Sequence, residues 1–280
     1  MTDVVDGQTA VAGRSAPPGS KGLLDGKVCV VSGVGPGLGR RAAVALATHG
    51  AAVVLAARRQ STLDDVAAEI DAFGGRVCSM PTDITEPDQC ERLIAFATTE
   101  LGGVDVLVNN AFRYDAFKTF EDVDLSIWRK IVDTNLFGSL QLTKAALPSM
   151  RSRGGGSVVM VASMAARKPP PLQGGYAISK GALLTAVKVL AGELGPSAVR
   201  VNAVVPGWMA GPSVDIYVQM TSTGRGITPE AVVAELEEPI ALKRVPSDEE
   251  VAGSIVFLAS DLSSPITGQA IDVNGGEYFD

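Results

Sequence analysis

Histidine and cysteine are scarce in this sequence, and their scarcity limits the chemistry it supports. The 280 residues include one histidine, His49, and three cysteines, Cys29, Cys78 and Cys90. The cysteines lie in or beside regular apolar segments and lack the spacing of metal ligands. The sequence therefore argues against a zinc site and a Ser-His-Asp hydrolase. It predicts small, buried thiols in a reducing compartment.

Basic residues and long apolar runs are also lacking. Lys and Arg number 24 against 31 Asp and Glu, which gives a net charge of −7 and a pI near 4.9. This balance argues against a nucleic-acid partner. No apolar run reaches the ~20 residues that span a membrane, and the aspartate-containing N-terminus does not resemble a secretory signal. We expect a cytoplasmic protein without membrane partners.

The composition predicts one large domain. The chain is 46% hydrophobic, enough for a substantial core. Residues 1–22 contain the run Ala16-Pro17-Pro18-Gly19-Ser20 and are predicted to form a flexible tail. We expect residues 23–280 to form a single domain, with a substrate-loop insertion at about residues 207–240 that is irregular or short-helical.

Short apolar runs alternate with amphipathic segments along this domain. The runs predict strands at 27–32, 51–57, 76–80, 104–109, 158–162, 199–205 and 269–273. A long helix is predicted over 126–153, a helix with a capping-box-like start after Thr85 with Asp88, and a helix capped by Ser247 to Glu250. The alternation predicts an α/β fold of the Rossmann-type, doubly wound class. We expect a mostly parallel seven-stranded sheet with helices on both faces.

Glycines follow the first predicted strand as Gly33, Gly37 and Gly39. Glycine permits a sharp turn and close approach of the backbone to a ligand. The following helix offers free N–H groups and the positive end of its dipole to a diphosphate. Such turns also occur for tight packing alone, but the place between strand and helix favours dinucleotide binding.

Tyr176 and Lys180 are one helical turn apart, so that a phenol and an ammonium face the same space. A free tyrosine has a pKa of ~10, and a nearby cation lowers this value. Ser163, thirteen residues upstream, offers a hydroxyl to hold a substrate oxygen beside the phenol. The pattern suggests proton transfer, although the same spacing also occurs on ordinary helix surfaces.

Together these residues resemble the short-chain dehydrogenase/reductase family in its compact single-domain branch, over residues 25 to 280. Further motifs match in order and spacing: Asn109-Asn110-Ala111, Asn135, Asp83 and Pro206-Gly207. Each of the last three motifs alone has another explanation. Asn135 is also explained as a helix residue that bonds to the backbone, Asp83 as a turn former, and Pro206-Gly207 as the end of a strand. The agreement of all of them favours the family.

The resemblance implies an NAD(P)-dependent oxidoreductase that interconverts a secondary alcohol and a ketone. Its implied catalytic tetrad is Asn135, Ser163, Tyr176 and Lys180. Ser163 would orient the substrate oxygen, Tyr176 would act as general acid/base, Lys180 would lower the Tyr176 pKa, and Asn135 would hold a relay water. The implied cofactor-binding residues are Gly33, Gly35, Pro36, Gly37, Leu38, Gly39, Arg58, Asp83, Ile84, Asn109, Ala111, Tyr176, Lys180, Pro206 and Gly207.

The chain departs from the family at two positions. Phe112 replaces the glycine that usually follows Asn-Asn-Ala, and Gly211, beside Pro212, stands where a hydroxyl residue is common. Ser213 is the candidate to substitute for that hydroxyl.

The predicted substrate pocket is apolar. It comprises Phe112, Met164, Leu172 and Trp208, with Met209, Tyr217 and Met220 as further candidates. This composition suits a hydrophobic alcohol or ketone, although some of these residues are equally explained as core. Lys168 and Arg113 leave an acyl-type substrate open.

Two other functions remain open. One is a non-catalytic, nucleotide-binding regulatory protein, and the intact tetrad argues against it. The other is an enoyl reductase, but those relatives usually separate the tyrosine and the lysine more widely.

Cofactor choice follows from the end of the second strand. An acidic residue there binds the ribose 2′-hydroxyl and repels a 2′-phosphate, but this chain has Ala57, followed by Arg58 and Arg59. Both arginines are also explained as solvated charges, and Pro36 occupies a position that is basic in some NADP-using relatives. We favour NADP(H), with NAD(H) as the alternative.

Residues 266–274 read as an apolar edge strand that needs covering. With the resemblance, this predicts a homotetramer.

Overall fold

The computed structural model describes residues 22–280, which form one seven-stranded parallel sheet. Its strands are β1 (Val28–Ser32), β2 (Ala52–Ala57), β3 (Val77–Pro81), β4 (Val106–Asn109), β5 (Gly156–Val161), β6 (Val199–Pro206) and β7 (Ala270–Val273). Their spatial order is β3-β2-β1-β4-β5-β6-β7, and every pairing is parallel. The predicted fold class is confirmed. The predicted tail lies outside the described residues except for Gly22.

Helices cover both faces of the sheet. They are α1 (Leu38–Thr48), α2 (Gln60–Asp71), α3 (Pro87–Leu101), α4 (Leu125–Val132), α5 (Ser139–Ser152), α6 (Gly174–Leu194), α7 (Pro212–Arg225), α8 (Pro229–Glu237) and α9 (Asp248–Ala259). Helices α1, α2 and α9 contribute to the core on one face, and α3, α5 and α6 to the core on the other. The strands are rich in valine and alanine because both of their faces are buried.

The long helix predicted over 126–153 is interrupted. Between α4 and α5 the chain makes a π-helical turn, Asp133–Gly138, which contains Asn135. A Cβ added to Gly138 would lie 2.8 Å from Ile84 Cγ1, so the turn packs closely against the segment after β3. π-helical turns often occur at functional sites.

The two predicted capping patterns have opposite outcomes. Ser247 and Glu250 form the capping box of α9, in which Ser247 Oγ accepts from the Glu250 N–H at 3.1 Å and Glu250 Oε2 accepts from the Ser247 N–H at 2.9 Å. A helix begins after Thr85, as predicted, but the predicted capping box with Asp88 is wrong, because α3 begins at Pro87 and has no side-chain cap. The Thr85 hydroxyl donates instead to Asp83.

The insertion between β6 and α9 is more regular than predicted, since it contains α7 and α8. These helices pack on one another through a small apolar cluster of Val218, Val232 and Leu236. The three cysteines are free; Cys29 and Cys90 are buried and Cys78 is half-buried. Within residues 22–280 no helix is long and apolar enough to cross a membrane.

Candidate active site

The carboxyl ends of the four central strands gather the residues that the sequence singles out. Gly33 follows β1, Asn110 follows β4, Ser163 follows β5 and Gly207 follows β6. Ligands of open α/β sheets bind at this edge, where neighbouring connections diverge to opposite faces. The fold therefore brings the predicted glycine loop and the predicted catalytic residues to one side of the sheet.

Two glycines of the loop are needed for packing. Gly33 has φ +72° and lies directly against Ala111. A Cβ on Gly39 would lie 2.7 Å from Asn110 Nδ2. The Asn110 amide donates to the Gly33 carbonyl at 2.8 Å, which ties the loop to the end of β4. These close approaches leave no room for a side chain at Gly33 or Gly39.

The other two glycines face open space. A Cβ added to Gly35 or Gly37 would meet no atom within 4 Å. Gly37 is the N-cap residue of α1, and no side chain caps this helix. Free N–H groups at an open helix N-terminus suit a diphosphate, so the loop fits the predicted dinucleotide.

The end of β2 lies beside this loop. The Val34 N–H donates to the Ala56 carbonyl at 3.1 Å. Arg58 and Arg59 follow, are exposed and form no ion pair with any residue of the described chain. Two other arginines near the loop, in the first turn of α1, do form ion pairs: Arg40 pairs with Glu69 and Arg41 pairs with Asp248.

Three of the residues that the resemblance assigns to cofactor binding, Asp83, Ile84 and Asn109, are held in place by neighbouring residues. Asp83 Oδ1 accepts from the backbone N–H of Thr85 at 3.0 Å and from its hydroxyl at 2.7 Å, so Asp83 forms a local turn. Ile84 is buried against the π-helical turn. The Asn109 amide donates to the Thr143 hydroxyl at 3.0 Å, which orients it below the loop.

Tyr176 and Lys180 lie on the same face of α6, as their spacing predicts. Lys180 Nζ is 5.7 Å from the centroid of the Tyr176 ring. The ammonium is buried and donates to the Val161 carbonyl at 2.6 Å. Ser163 lies two residues beyond Val161, and its hydroxyl is close enough to Tyr176 to lower the pKa of the phenol. The structure thus brings Ser163, Tyr176 and Lys180 together.

Burial dominates the protonation of this pair. It raises the pKa of Tyr176 to about 12, the Ser163 hydroxyl opposes that rise, and Tyr114 adds to it. Burial also lowers the pKa of Lys180 to about 7. The sequence analysis expected Lys180 to lower the pKa of Tyr176. Lys180 is not among the groups that shift this pKa in the structure. Desolvation is the largest cause of both shifts, and the Lys180 amine donates to the Val161 carbonyl instead of acting on the phenol.

Asn135 has protein partners at both ends of its amide. Its Oδ1 accepts from the Arg113 N–H at 2.7 Å, and its Nδ2 donates to Ser179 Oγ at 2.9 Å and to the Arg113 carbonyl at 3.2 Å. The side chain is fully buried. Asn135 thereby connects the segment after β4 to α6, and its role in holding a relay water stays a prediction.

Aromatic rings adjoin the phenol of Tyr176. Phe112 and Tyr114 are in edge contact with ring centroids 4.7 Å apart, and they lie 6.4 and 5.9 Å from the Tyr176 ring. We call Phe112, Tyr114 and Tyr176 the aromatic cluster. The sequence analysis included Phe112 but missed Tyr114, although its place two residues after Phe112 was a usable signal.

The other predicted pocket residues are dispersed. A Cβ on Gly207 would lie 3.6 Å from Met164 Sδ, so Met164 adjoins the end of β6. Leu172 is exposed, with φ +67°, immediately before α6. Trp208 stacks on Tyr217 at 4.9 Å within the insertion, and Met209 packs against the sheet core.

The structure also shows where the polar residues discussed in the sequence analysis lie. Lys168 pairs with Glu277 at 3.3 Å, whereas Arg113 is exposed. Gly211 is the N-cap residue of α7, with φ +151°, and Ser213 is exposed in the first turn of that helix.

Comparisons with known proteins identify the family of the chain. A family model described as enoyl-(acyl carrier protein) reductase matches residues 33–277. Dehydrogenase/reductase SDR family member 4 of Bos taurus is 38% identical over 254 residues, which are 90% of this chain and 88% of that protein. The chain belongs to the short-chain dehydrogenase/reductase family. Names of dehydrogenases and reductases among the relatives confirm the prediction of an enzyme over that of a non-catalytic binding protein.

Solved structures of the family share this fold. A short-chain type dehydrogenase/reductase from Mycobacterium marinum is 33% identical, with a TM-score of 0.80, over 92% of this chain and 97% of that one. L-Sorbose reductase from Gluconobacter frateurii, solved with NADPH and L-sorbose, is 29% identical, with a TM-score of 0.86, over 91% of this chain and 97% of that one.

The lowered pKa of Lys180 predicts that the stability of the cofactor-free protein rises with pH. Between about pH 7 and the ~10.4 of an unfolded lysine, the unfolded chain binds more protons than the folded one. The free energy of unfolding then increases by up to ~1.4 kcal/mol per pH unit. The raised pKa of Tyr176 acts in the opposite sense only above about pH 10.

Urea denaturation at about pH 7.5 and about pH 9 tests this pH dependence of stability. The control is Lys180→Met, which has no titratable side chain at position 180. We expect the wild type to gain about 1 kcal/mol or more relative to Lys180→Met over this interval. An equal pH dependence in both proteins would contradict the prediction.

Proposed function

We propose that the enzyme interconverts a secondary alcohol and a ketone with NADP(H), using Tyr176 as general acid and base. The observation that carries the proposal is the meeting of Ser163, Tyr176 and Lys180 at the carboxyl edge of the sheet. The glycine loop, at the same edge, supports dinucleotide binding through open space at Gly35 and Gly37.

In reduction, Ser163 orients the carbonyl oxygen and Tyr176 donates its phenolic proton to that oxygen. The nicotinamide, when bound, supplies the hydride. A tyrosine with the ordinary pKa of ~10 is already protonated at neutral pH. Burial raises the pKa of Tyr176 further, so the reducing direction starts from the form that predominates. In oxidation the same groups act in reverse, and the proton must then leave a phenol that holds it tightly.

The surroundings of Tyr176 favour an apolar substrate. Phe112 and Tyr114 are about half-exposed beside the phenol, so their rings are available to pack on a hydrophobic group. Met164 adds a flexible apolar side chain near Gly207. Arg113 is exposed on the segment that carries these rings. Its positive charge suits an acidic group on the substrate, so the proposal includes acyl-type substrates.

Tyr176→Phe tests the assignment of the proton donor. We expect kcat for ketone reduction to fall by about 10²–10⁴-fold, because only proton transfer needs the hydroxyl. Binding of NADP(H), measured by fluorescence titration, is expected to remain close to the wild type.

Tyr114→Phe is the matched control, since it removes a second phenol of the same cluster. It is expected to keep most of the turnover. Near-normal kcat in Tyr176→Phe, or an equal loss in Tyr114→Phe, would overturn the assignment.

A second candidate function is reduction of an enoyl thioester, favoured by the description of the matching family model. The spacing of Tyr176 and Lys180 and the proximity of the Ser163 hydroxyl, which lowers the pKa of the phenol, argue for carbonyl chemistry. Assays of a 3-oxoacyl thioester and the matching 2-enoyl thioester, following nicotinamide absorbance, distinguish the two.

Cofactor preference rests on the end of β2. Arg58 and Arg59 are exposed beside the loop, and no acidic residue occupies the strand end at Ala57. A guanidinium binds a 2′-phosphate through charge-assisted hydrogen bonds. The structural relative solved with NADPH shows that the family's fold accepts this form.

Arg58→Ala is expected to lower kcat/KM for NADP(H) by about 10-fold or more, with little change for NAD(H), because a charged hydrogen bond contributes roughly 1.5–3 kcal/mol. Arg59→Ala, one residue along, controls for the general loss of positive charge. Better use of NAD(H) by the wild type, with no specific penalty in Arg58→Ala, would refute the preference.

We also propose a cytoplasmic homotetramer. In the described chain β7 has a neighbour only on the β6 side, and an uncovered edge strand is a site for pairing. Light scattering at micromolar concentration is expected to give about four times the mass of the chain. A stable monomer would contradict the proposal.

A further inference from the structure

A buried carboxylate contacts the backbone of the proposed proton donor. Asp115 lies on the segment after β4 and is 8% exposed. Its Oδ2 accepts from the Tyr176 N–H at 3.0 Å, and its Oδ1 accepts from the Ala116 N–H at 2.8 Å. Within residues 22–280 it forms no ion pair with a lysine or arginine. The carboxylate is therefore committed to two backbone amides.

The first turn of α6 depends on this contact because its own N-cap residue, Gln173, makes no side-chain hydrogen bond to the helix. The first N–H groups of a helix need acceptors from outside it. Asp115 supplies one from 61 residues away in the sequence. A negative charge at a helix N-terminus is also stabilised by the helix dipole.

Close packing surrounds the same turn. The indole of Trp128 lies against the two glycines that open α6, since a Cβ would approach it to 2.5 Å at Gly174 and 2.6 Å at Gly175. The Cβ at Gly175 would also lie 3.1 Å from Asp115 Oδ2. The turn before Tyr176 is thus enclosed by the Trp128 indole and the Asp115 carboxylate. Its two glycines have no side chains that could fill space if either group moved.

We propose that Asp115 is a positioning residue for catalysis, which holds the Tyr176 phenol at the correct height relative to Ser163. It also fastens the segment that carries Phe112 and Tyr114 to the catalytic helix, so the aromatic cluster and the proton donor move together. This inference rests on the proposed function, in which Tyr176 is the proton donor.

The test uses the full-length enzyme with NADP(H) and an apolar ketone that it reduces. Asp115→Ala removes both acceptors and is expected to lower kcat by about 10- to 100-fold, because small misplacement of a reacting group has effects of this size. The Kd for NADP(H) is expected to change by less than about twofold, since the glycine loop is untouched. Asp115→Asn keeps one acceptor oxygen and is expected to lose less activity than Asp115→Ala.

The matched control is Asp124→Ala, which removes the carboxylate that caps α4 by accepting from the Ser126 N–H at 2.8 Å. Loss of either cap lowers the free energy of unfolding, but only the Asp115 variants are expected to lose kcat. Hydrogen exchange of the peptide covering 172–180 is expected to accelerate in Asp115→Ala and not in Asp124→Ala.

The outcomes separate this inference from the proposed function. If Tyr176→Phe loses turnover while Asp115→Asn and Asp115→Ala keep the kcat of Asp124→Ala, the positioning role is wrong and the proposed function stands. If Tyr176→Phe keeps turnover, the proposed function itself fails. If Asp115→Ala does not fold, Asp115→Asn decides: a kcat equal to that of Asp124→Asn overturns the inference.

Discussion

The hydrogen bond from Lys180 to the Val161 carbonyl sets the geometry of the site. A charged amine inside a protein requires a partner, and here the partner is a backbone atom at the end of β5. Val161 and Ser163 are two residues apart on an extended chain, while Lys180 and Tyr176 are one turn apart on α6. Joining Val161 to Lys180 therefore brings Ser163 to the side of α6 that carries Tyr176, where its hydroxyl lowers the pKa of the phenol.

Polar side chains around this bond divide into two groups. Asn110, Asp115 and Asn135 are buried and directed at protein backbone, so they join the glycine loop, α6 and the segment after β4 to one another. By contrast, Gly35 and Gly37 adjoin open space, and the arginines after β2 are exposed and have no ion-pair partner within residues 22–280. Buried polar groups must be satisfied to be tolerated. The first group therefore serves rigidity, and the second is available to a ligand.

The fold and the Tyr-Ser-Lys group were predictable because each follows from a local pattern. Alternating buried strands and helices fix the doubly wound sheet, and helical spacing puts Tyr176 and Lys180 on one face. Asp115 was not predictable, because its partner Tyr176 is 61 residues away and no spacing rule connects them. The sign of the Tyr176 pKa shift depends on burial, which a sequence does not display. The dispersal of Trp208 and Met209 depends on how the insertion folds.

Phe112, one of the two departures from the family pattern, lies directly beside the proposed proton donor. Where relatives usually have glycine, its ring lies 6.4 Å from the Tyr176 ring and 6.0 Å from Lys180 Nζ. Trp208, in the insertion, packs instead against Tyr217, with tilted rings whose centroids are 4.9 Å apart. The segment after β4 thus contributes the aromatic surface nearest to the reacting phenol. Arg113 and Asp115, on either side of Tyr114, are bonded to Asn135 and to the Tyr176 N–H, so this aromatic surface is fixed in place beside the phenol.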